Sequence, residues 1–362
     1  MARSFNGHQA FKGRGATSNP AVRFDALTHE QTHDGWYEDE IVEHLTETVL
    51  PDRARSVITT NNSPDVGFDQ SINPYRGCSH GCVYCFARPT HAYLGLSPGL
   101  DFETKLFYKA DAASLLEAEL SKPKYVCKPI ALGINTDGYQ PLEKRLETTR
   151  GILAVLARCR HPVTIVTKSA LIVRDVDLLK DLARDRLVSV MLSITSLTNE
   201  IKRTLEPRAA SPQARLRVIQ QLAHAGIPVG VLVAPVIPAI TDHEMEDILA
   251  AAREAGAGSA GYVLLRLPHE VKILFREWLS EHYPDRAKHV MSLINQTRGG
   301  KDYDAEFGRR MTGTGPYAEL LRTRFELARR KCGFDDAHGR HELTTEFFRP
   351  PAADQSQLTL GF

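Results

Sequence analysis

The fold is decided by residues 73–86, NPYRGCSHGCVYCF, in which three cysteines fall within eight residues. Cys78, Cys82 and Cys85 have the spacing C-x3-C-x2-C, and the two glycines of the loop allow it to curl tightly around them. Soft thiolates on one short loop favour an iron–sulfur cluster or zinc over hard cations. The stretch therefore predicts a metal site.

The number of cysteines helps to separate the two metals. Structural zinc usually closes four ligands drawn from two separated pairs. Here Cys78, His80, Cys82 and Cys85 form one tight run, and no second cysteine pair follows it. A cubane cluster held by three thiolates instead keeps one iron without a protein ligand, where a small molecule can bind. We therefore favour an iron–sulfur cluster and keep a zinc site as the alternative.

Short apolar runs alternate with helical patterns from Ser71 to about Pro268. The runs are rich in Val, Ile and Leu without strict alternation, as expected of strands buried on both faces of a parallel sheet. The predicted strands are Ile72–Arg76, Ile130–Asn135, Val163–Thr167, Val188–Ile194, Ile227–Ala234 and Tyr262–Arg266. The predicted helices are Pro141–Cys159, Asp175–Arg184, Pro212–Ala225 and Asp242–Ala255. The sequence thus predicts an α/β protein, with about six βα units in a partial (β/α)6 barrel.

The rest of the chain divides around this barrel. Beyond Pro268 the alternation stops, and helices at Val271–Ser280 and Tyr317–Lys331 flank a glycine-rich basic loop, Thr297–Gly315. Residues 1–24 contain basic residues and no acid, with too little apolar material to offset the entropy of ordering. The predicted organisation is a disordered basic arm (1–24), an N-terminal extension (25–70), the barrel core (71–268), a helical C-terminal extension (269–348) and a flexible tail (349–362).

Composition limits the partners and the location of the protein. The 45 basic and 44 acidic residues leave a formal charge of +1, so any nucleic-acid surface must be a local patch. No apolar run reaches the roughly 20 residues of a membrane span. The N-terminus lacks the apolar segment of a secretory signal, which predicts a cytoplasmic protein with no membrane partner.

The cysteine motif at the end of the first predicted strand resembles the radical S-adenosylmethionine (SAM) superfamily, over roughly residues 71–268. The resemblance implies a radical SAM barrel whose [4Fe-4S] cluster is bound by Cys78, Cys82 and Cys85. It also implies that SAM binds the fourth iron through its amino and carboxylate groups. An electron from the cluster then cleaves SAM to methionine and a 5′-deoxyadenosyl radical. We therefore expect an enzyme that abstracts hydrogen from a substrate and takes electrons from a donor protein.

Five further residues are candidates for SAM binding. The resemblance places Tyr84, the aromatic residue of the motif, beside the cluster and the adenine of SAM. Asp137, Lys168 and Ser193 are placed at predicted strand ends, where barrel proteins build their sites. Lys168 could hold the carboxylate of SAM, with Arg208 as a second possible partner. Asp137 and Ser193 could bind its amine or hydroxyl groups. Each also fits a core, cap or surface position, and no catalytic acid or base is assigned.

Within the superfamily, the run from Tyr75 to Phe86 and the later Thr136-Asp137 resemble the spore photoproduct lyase-like group, the "DNA repair photolyases". In the lyase, a cysteine just before a T-x-D-like turn returns hydrogen to the product radical. The corresponding residues 133–137 contain no thiol, and Cys127 lies seven residues before Ile134. The lyase also has a tyrosine where this chain has Phe86. The radical-initiating residues are therefore present, and spore photoproduct cleavage itself is not expected.

Residues 296–331 form a local basic segment with five acids against nine basic residues. The glycine-rich loop within it could track phosphates, and Tyr303, Phe307 and Tyr317 could stack on bases. A solvated helix face beside a flexible loop explains the same pattern equally well. The nine basic residues are Arg298, Lys301, Arg309, Arg310, Arg322, Arg324, Arg329, Arg330 and Lys331.

The last six residues, QLTLGF, resemble the peptide by which bacterial repair proteins dock on the DNA sliding clamp. Leu358, Leu360 and Phe362 would fill an apolar groove, and Gln357 would anchor the polar end. Together these signals favour a radical SAM enzyme that acts on nucleic acid, with modified or damaged DNA preferred. The alternatives are the same chemistry on RNA or a small molecule, and a zinc-stabilised DNA-binding protein without catalysis.

Overall fold

The computed structural model describes residues 11–24, 45–334 and 342–351, and its strands form two sheets. The strands are β1 (Thr48–Pro51), β2 (Ile58–Thr60), β3 (Gln70–Ile72), β4 (Tyr75–Arg76), β5 (Lys105–Tyr108), β6 (Ile130–Leu132), β7 (Val163–Thr167), β8 (Val188–Ser193), β9 (Val229–Val236) and β10 (Ser259–Leu264). The large sheet has the spatial order β10-β9-β8-β7-β6-β3-β2, in which all pairs are parallel except β2 with β3. The small sheet has the order β1-β5-β4.

Helices connect the parallel strands and extend the chain beyond them. They are α1 (Leu100–Thr104), α2 (Ala112–Leu120), α3 (Glu143–Leu146), α4 (Thr148–Arg158), α5 (Val176–Arg184), α6 (Asn199–Leu205), α7 (Pro212–His224), α8 (Met245–Glu254), α9 (Val271–His282), α10 (Ala287–Gln296) and α11 (Pro316–Lys331). Short 3-10 helices span Arg88–Leu94, Ala170–Asp175 and Asp242–Glu244. With six parallel strands in chain order and intervening helices, the predicted partial (β/α)6 barrel is confirmed.

The main core lies between the large sheet and the helices that follow its strands. On β8 the side chains of Val188, Val190 and Leu192 are fully buried, and they belong to the same apolar cluster as Ile152 and Leu156 of α4. Burying a side chain of this size stabilises the fold by roughly 1.5–3 kcal/mol. These three residues alternate along β8 and so share one face, whereas Ser189 and Met191 on the other face are only partly buried.

The first strand of the barrel differs from its prediction. The predicted strand Ile72–Arg76 is two strands, because β3 ends at Ile72 and β4 pairs with β5 in the small sheet. Pro74 stands between them and has no N–H for a sheet hydrogen bond. This break redirects the chain out of the large sheet and into the cysteine loop. The predicted helix Pro141–Cys159 is similarly divided at Glu147, which has a left-handed φ of 52°.

The prediction of a disordered arm is wrong for residues 11–24, the described part of that segment. Phe11 and Ala16 are buried in an apolar cluster, and the carbonyl oxygen of Ser18 accepts the backbone N–H of Leu100 at 3.1 Å. Gly15 packs so closely on the cysteine loop that a Cβ atom on it would lie 1.8 Å from the carbonyl oxygen of Gly81. Tertiary contacts therefore offset an ordering entropy that local composition could not.

The C-terminal extension contains α9, α10 and α11, of which α10 is absent from the prediction. Residues 342–351 pack at the C-terminal end of α4, where the backbone N–H of Arg349 donates to the carbonyl oxygen of Cys159 at 2.8 Å. The sliding-clamp peptide, residues 357–362, lies outside the described residues. Among the described residues, every helix falls short of the length and apolar character of a membrane span.

Candidate functional site

A cavity of about 530 Å³ opens at the C-terminal ends of the parallel strands, where barrel proteins build their sites. Its volume falls in the range of pockets that hold cofactors and small ligands. The cysteine loop forms one wall, and the segments after β6, β7, β8 and β10 form others. Seven of the eight predicted site residues line the cavity, namely Cys78, Cys82, Tyr84, Cys85, Asp137, Lys168 and Ser193.

The backbone of the cysteine loop is held by close contacts with α1. Gly77 and Gly81 have left-handed φ angles of 75° and 72°, a conformation that L side chains rarely adopt. A Cβ atom on Gly77 would lie 2.9 Å from the carbonyl oxygen of Phe102. That oxygen accepts the backbone N–H of Cys78 at 2.9 Å. The two glycines therefore permit the tight path that brings the cysteines to the cavity.

The three thiols are shielded from water, with Cys78 buried and Cys82 and Cys85 partly buried. Burial raises the pKa of all three, and that of Cys82 to about 12. Each thiol therefore needs a bound cation to become a thiolate at neutral pH. Among the described residues, no group of three His, Cys, Asp or Glu side chains is compact enough to chelate one metal ion. A cubane makes a different demand, because each thiolate binds its own iron.

A buried ion pair supports the cysteine loop from the side away from the cavity. Arg88 and Glu103 pair with both side chains fully buried. The Nε of Arg88 donates to the carbonyl oxygen of Cys82 at 2.9 Å, and Glu103 accepts the backbone N–H groups of Gly15 and Ala16 at 3.1 and 2.9 Å. The loop and the N-terminal segment are thus joined through one pair of charges.

Asp137 is fully engaged by protein groups. Its carboxylate accepts the hydroxyl of Thr167 at 2.7 Å and the backbone N–H of Lys168 at 2.8 Å, and Nδ1 of His80 lies 3.4 Å away. Burial acts to raise the pKa of Asp137, but the charge of His80 and these hydrogen bonds outweigh it and lower the pKa to about 2. Asp137 therefore holds the backbone at the end of β7 as an anion.

Lys168 directly follows β7 and lines the cavity. Its Nζ lies 5.9 Å from the centroid of the Tyr84 ring, and its charge helps to lower the pKa of the neighbouring Glu206. Among the described residues, no carboxylate forms an ion pair with Lys168. Its ammonium group is therefore available to an anionic group in the cavity.

Tyr84 is anchored by a buried charge pair that sequence reasoning missed. Its hydroxyl donates to Glu206, which also accepts the hydroxyl of Thr195 at 2.8 Å and pairs with Arg215. Glu206 is 2% exposed and Arg215 is 1% exposed. Burial acts to raise the pKa of Glu206, but mainly the charge of Arg215 lowers it to about 2. Nη1 of Arg215 donates to the carbonyl oxygen of Ser193 at 2.8 Å, which joins the tyrosine to the end of β8.

Ser193 and Arg208 differ in their placement. Ser193 ends β8, is 1% exposed and lines the cavity. Arg208 does not line it, because its side chain pairs with Glu47 outside. Its backbone N–H donates to the carbonyl oxygen of His80 at 3.1 Å. The segment LEPR at 205–208 therefore contributes to the site through its glutamate rather than its arginine.

The opposite wall of the cavity has no counterpart in the sequence prediction. Arg266 lies two residues beyond β10, with its guanidinium carbon 5.0 Å from the centroid of the Phe86 ring. Arg310 pairs with Asp65, and this contact joins the loop after β2 to the C-terminal extension. Arg310 and Asp65 are 245 positions apart in the sequence. No local pattern in the sequence signals a contact over that separation.

The remaining cysteines lie away from the site. Cys127, Cys159 and Cys332 are absent from the cavity lining, and Ile134 is part of it. Within the described chain, the loop cysteines are thus the only thiols that line the cavity. The stretch 133–137 thus contributes Ile134 and no thiol to the cavity wall.

Five of the nine basic residues of segment 296–331 are buried or ion-paired within the described chain. Arg298 is 2% exposed and donates to backbone carbonyl oxygens. Four arginines form ion pairs, Arg309 with Glu306, Arg310 with Asp65, Arg324 with Glu246 and Arg329 with Glu326. Among the described residues, the basic side chains of the segment that form no ion pair and remain outside the core are Lys301, Arg322, Arg330 and Lys331. The predicted phosphate-tracking surface is thereby reduced to these four.

The fold and the cysteine motif define a radical SAM protein, and the chain belongs to the radical SAM superfamily, whose family model matches residues 72–252. Its cofactors are accordingly a [4Fe-4S] cluster and SAM. An uncharacterized protein of Mycobacterium tuberculosis is 38% identical over 237 residues, which cover 65% of this chain and 70% of the relative. An uncharacterized protein of Methanocaldococcus jannaschii is 27% identical over 242 residues, with coverage of 66% and 84%.

Solved structures of spore photoproduct lyase share the fold. A variant of that lyase with bound AdoMet and dinucleoside spore photoproduct superimposes with a TM-score of 0.57, at 14% identity over 79% of each chain. Another variant gives a TM-score of 0.57 at 16% identity with the same coverage. The similarity confirms the predicted barrel and its resemblance to the lyase fold.

Proposed function

We propose that Cys78, Cys82 and Cys85 bind the [4Fe-4S] cluster and that the enzyme abstracts hydrogen from nucleic acid, with modified or damaged DNA favoured. The observation that carries the proposal is the shared cavity, because the three shielded thiols line the same space as Lys168 and Ser193. When bound, the reduced cluster supplies the electron that cleaves SAM to methionine and a 5′-deoxyadenosyl radical. Three protein ligands leave one iron for the amino and carboxylate groups of SAM.

The protein's own residues hold SAM in this proposal. Lys168 binds the SAM carboxylate, and Ser193 binds the ribose hydroxyls or the methionyl end. Tyr84 lies beside the cluster and the adenine, kept in place by its hydrogen bond to Glu206. Asp137 acts indirectly, since its carboxylate orients the backbone of Lys168.

Replacing Lys168 by glutamine is expected to weaken SAM binding about 10- to 100-fold, because a hydrogen bond to a charged group is lost. Arg208→Gln is the matched control, since Arg208 pairs with Glu47 outside the cavity and should leave SAM binding unchanged. Equilibrium dialysis of labelled SAM against the cluster-loaded proteins measures both. Equal affinities in Lys168→Gln and the unchanged protein would contradict the assignment of Lys168.

The size of the cavity favours a nucleotide whose base is turned out of the duplex or belongs to a single strand. A volume of about 530 Å³ admits a cofactor and a small group, but not a base pair inside a duplex. Enzymes that react with a base in DNA extrude it into such a pocket or use single strands. The lyase variant of the same fold was solved with a dinucleoside lesion. Residues 133–137 contain no thiol and Phe86 has no phenolic hydroxyl, so we propose a reaction that ends differently from spore photoproduct cleavage.

The same chemistry on RNA or a small molecule is the second candidate. The small molecule is supported by the basic segment, because few unpaired cations remain there to follow the phosphate backbone of either DNA or RNA. A small molecule needs only the cavity and its own polar contacts. The two candidates share the cluster, SAM and the first hydrogen transfer.

The decisive experiment is anaerobic reconstitution with iron and sulfide, followed by dithionite, SAM and quantification of 5′-deoxyadenosine. Deuterated single-stranded DNA, RNA of the same sequence and free nucleosides are then compared as sources of deuterium in that product. Transfer from DNA supports the favoured substrate, whereas transfer from RNA or nucleosides alone supports the second candidate. A folded, colourless zinc protein that makes no 5′-deoxyadenosine contradicts the assignment of the loop cysteines to the cluster.

Two protein partners belong to the proposal. An electron donor protein would reduce the cluster in the cell, in place of dithionite. The sliding clamp would be bound by Gln357, Leu358, Leu360 and Phe362, which lie outside the described residues. Docking through this peptide would bring the enzyme to DNA without any use of the basic segment.

A further inference from the structure

Arg266 has an unusual environment for a residue of the cavity wall. Its guanidinium lies over the ring of Phe86, directly after the third loop cysteine, and Nη1 lies 3.5 Å from the sulfur of Met311. The Nε–H is buried and has no hydrogen-bond partner among the described residues. Buried donors in proteins are nearly always paired, so this unpaired donor of a cavity-lining guanidinium lacks a partner, and a ligand reaches it once the side chain shifts towards the cavity.

The charges around Arg266 leave an excess of positive charge. Neither Arg266 nor the buried Arg298 forms an ion pair within the described chain. Burial and the charge of Arg266 lower the pKa of Arg298 to about 10, so the two guanidinium groups influence each other. Two carboxylates act on this group of arginines, because Asp65 pairs with Arg310 and the charge of Asp304 acts on Arg298. Three arginines thus face two acidic side chains, which leaves an excess of positive charge near this wall and favours an anion.

An anion bound at Arg266 would lie at a different wall of the cavity from a SAM carboxylate bound at Lys168. Lys168 follows β7 and Arg266 follows β10, with β8 and β9 between them in the sheet. Lys168 already offers a cation beside Tyr84 for that carboxylate. The wall with Arg266 is instead completed by β2 and the C-terminal extension, which are joined by Arg310 and Asp65.

We propose that Arg266, supported on the ring of Phe86, binds the phosphodiester next to the reacting nucleotide of the substrate. This inference rests on the proposed function and adds a binding group to it. A guanidinium offers a planar pair of donors that matches two phosphate oxygens. When the side chain shifts towards the cavity, Nε of Arg266 joins that donor pair, which gives the unpaired Nε–H a partner. Phe86, in place of a tyrosine, therefore serves as an apolar support for a cation.

The test is a double-mutant cycle between Arg266 and one phosphate charge. Thymidylyl-thymidine and its uncharged methylphosphonate analogue are titrated into the cluster-loaded full chain with SAM and without reductant. The unchanged protein should prefer the charged dinucleotide about 10- to 100-fold, and Arg266→Gln should lose that preference. Arg266→Lys keeps the charge without the planar donors and should retain part of it. Arg217→Gln, which removes an exposed arginine of α7, is the control and should retain it all.

The outcomes separate this inference from the proposed function. No preference in the unchanged protein, or an unaltered preference in Arg266→Gln, overturns the phosphate site. A loss of SAM affinity in Arg266→Gln, with the dinucleotide preference intact, assigns Arg266 to the SAM carboxylate and also overturns it. Because the titration requires no turnover, it is read independently of 5′-deoxyadenosine formation. Absence of that product would count against the proposed function alone.

Discussion

Replacement of Cys82 by alanine is expected to abolish 5′-deoxyadenosine formation, a loss of at least about 10³-fold from the unchanged protein. Cys78→Ala and Cys85→Ala should have the same effect, since a cubane that keeps one iron for SAM needs all three thiolates. Burial strengthens the dependence, because two shielded thiols with raised pKa values bind a cluster poorly without the third. Iron content per chain and visible absorbance measure the cluster, and chromatography measures the product.

Cys127→Ala is the matched control for the loop cysteines. Burial also raises the pKa of Cys127 to about 12, but the residue is absent from the cavity lining. Its replacement should leave both iron content and 5′-deoxyadenosine formation unchanged. Full iron content and activity in Cys82→Ala would show that the cluster is held elsewhere.

The second large effect is expected from Glu206→Ala, which should lower the free energy of unfolding by about 3–5 kcal/mol. Removal of the carboxylate leaves the guanidinium of Arg215 buried without its partner, at 1% exposure. The hydroxyls of Tyr84 and Thr195 also lose their shared acceptor. Urea unfolding of the full chain measures the change. Cluster content should fall as well, since Tyr84 stands between two loop cysteines.

Two comparisons identify the cause of this loss. Glu306→Ala breaks an exposed ion pair with Arg309 and should cost less than about 1 kcal/mol, because solvent screens the charges. The double variant Glu206→Gln with Arg215→Met should recover part of the stability, since no lone buried charge remains. A cost for Glu206→Ala as small as that for Glu306→Ala would contradict a structural role for the buried pair.

The barrel and its cofactor site are largely readable from the sequence. The strand β7 is predicted with its observed bounds, Val163–Thr167, because all five residues of this run are β-branched, a composition typical of strands. The cysteine motif places the site at the start of the barrel. Lys168 and Ser193 are predicted as site residues from their places at the ends of β7 and β8. Both line the cavity, because the C-terminal ends of parallel strands lie at the same end of the barrel.

The parts that escape prediction depend on tertiary contacts. In LEPR the sequence offers a glutamate and an arginine, and only the folded loop decides that Glu206 is buried and that Arg208 pairs outside. Arg266 is predicted inside a strand but lies two residues beyond its end, where it contacts Phe86. The number of unpaired cations in the basic segment likewise depends on distant carboxylates. Arg310, for example, pairs with Asp65, which lies 245 positions away in the sequence.

The contacts of the N-terminal segment with later parts of the chain determine when this segment can fold during translation. Gly15 is made 66 positions before Gly81, against whose carbonyl oxygen it packs. At 5–20 residues per second, roughly 3–13 s of translation separate the two. The N-terminal segment is therefore synthesised before the cysteine loop on which it packs. Glu103, which accepts its backbone N–H groups, is synthesised later still. Until the N-terminal segment docks, it does not cover the cysteine loop. The cluster therefore has an interval in which it can be inserted before residues 11–24 pack over the loop.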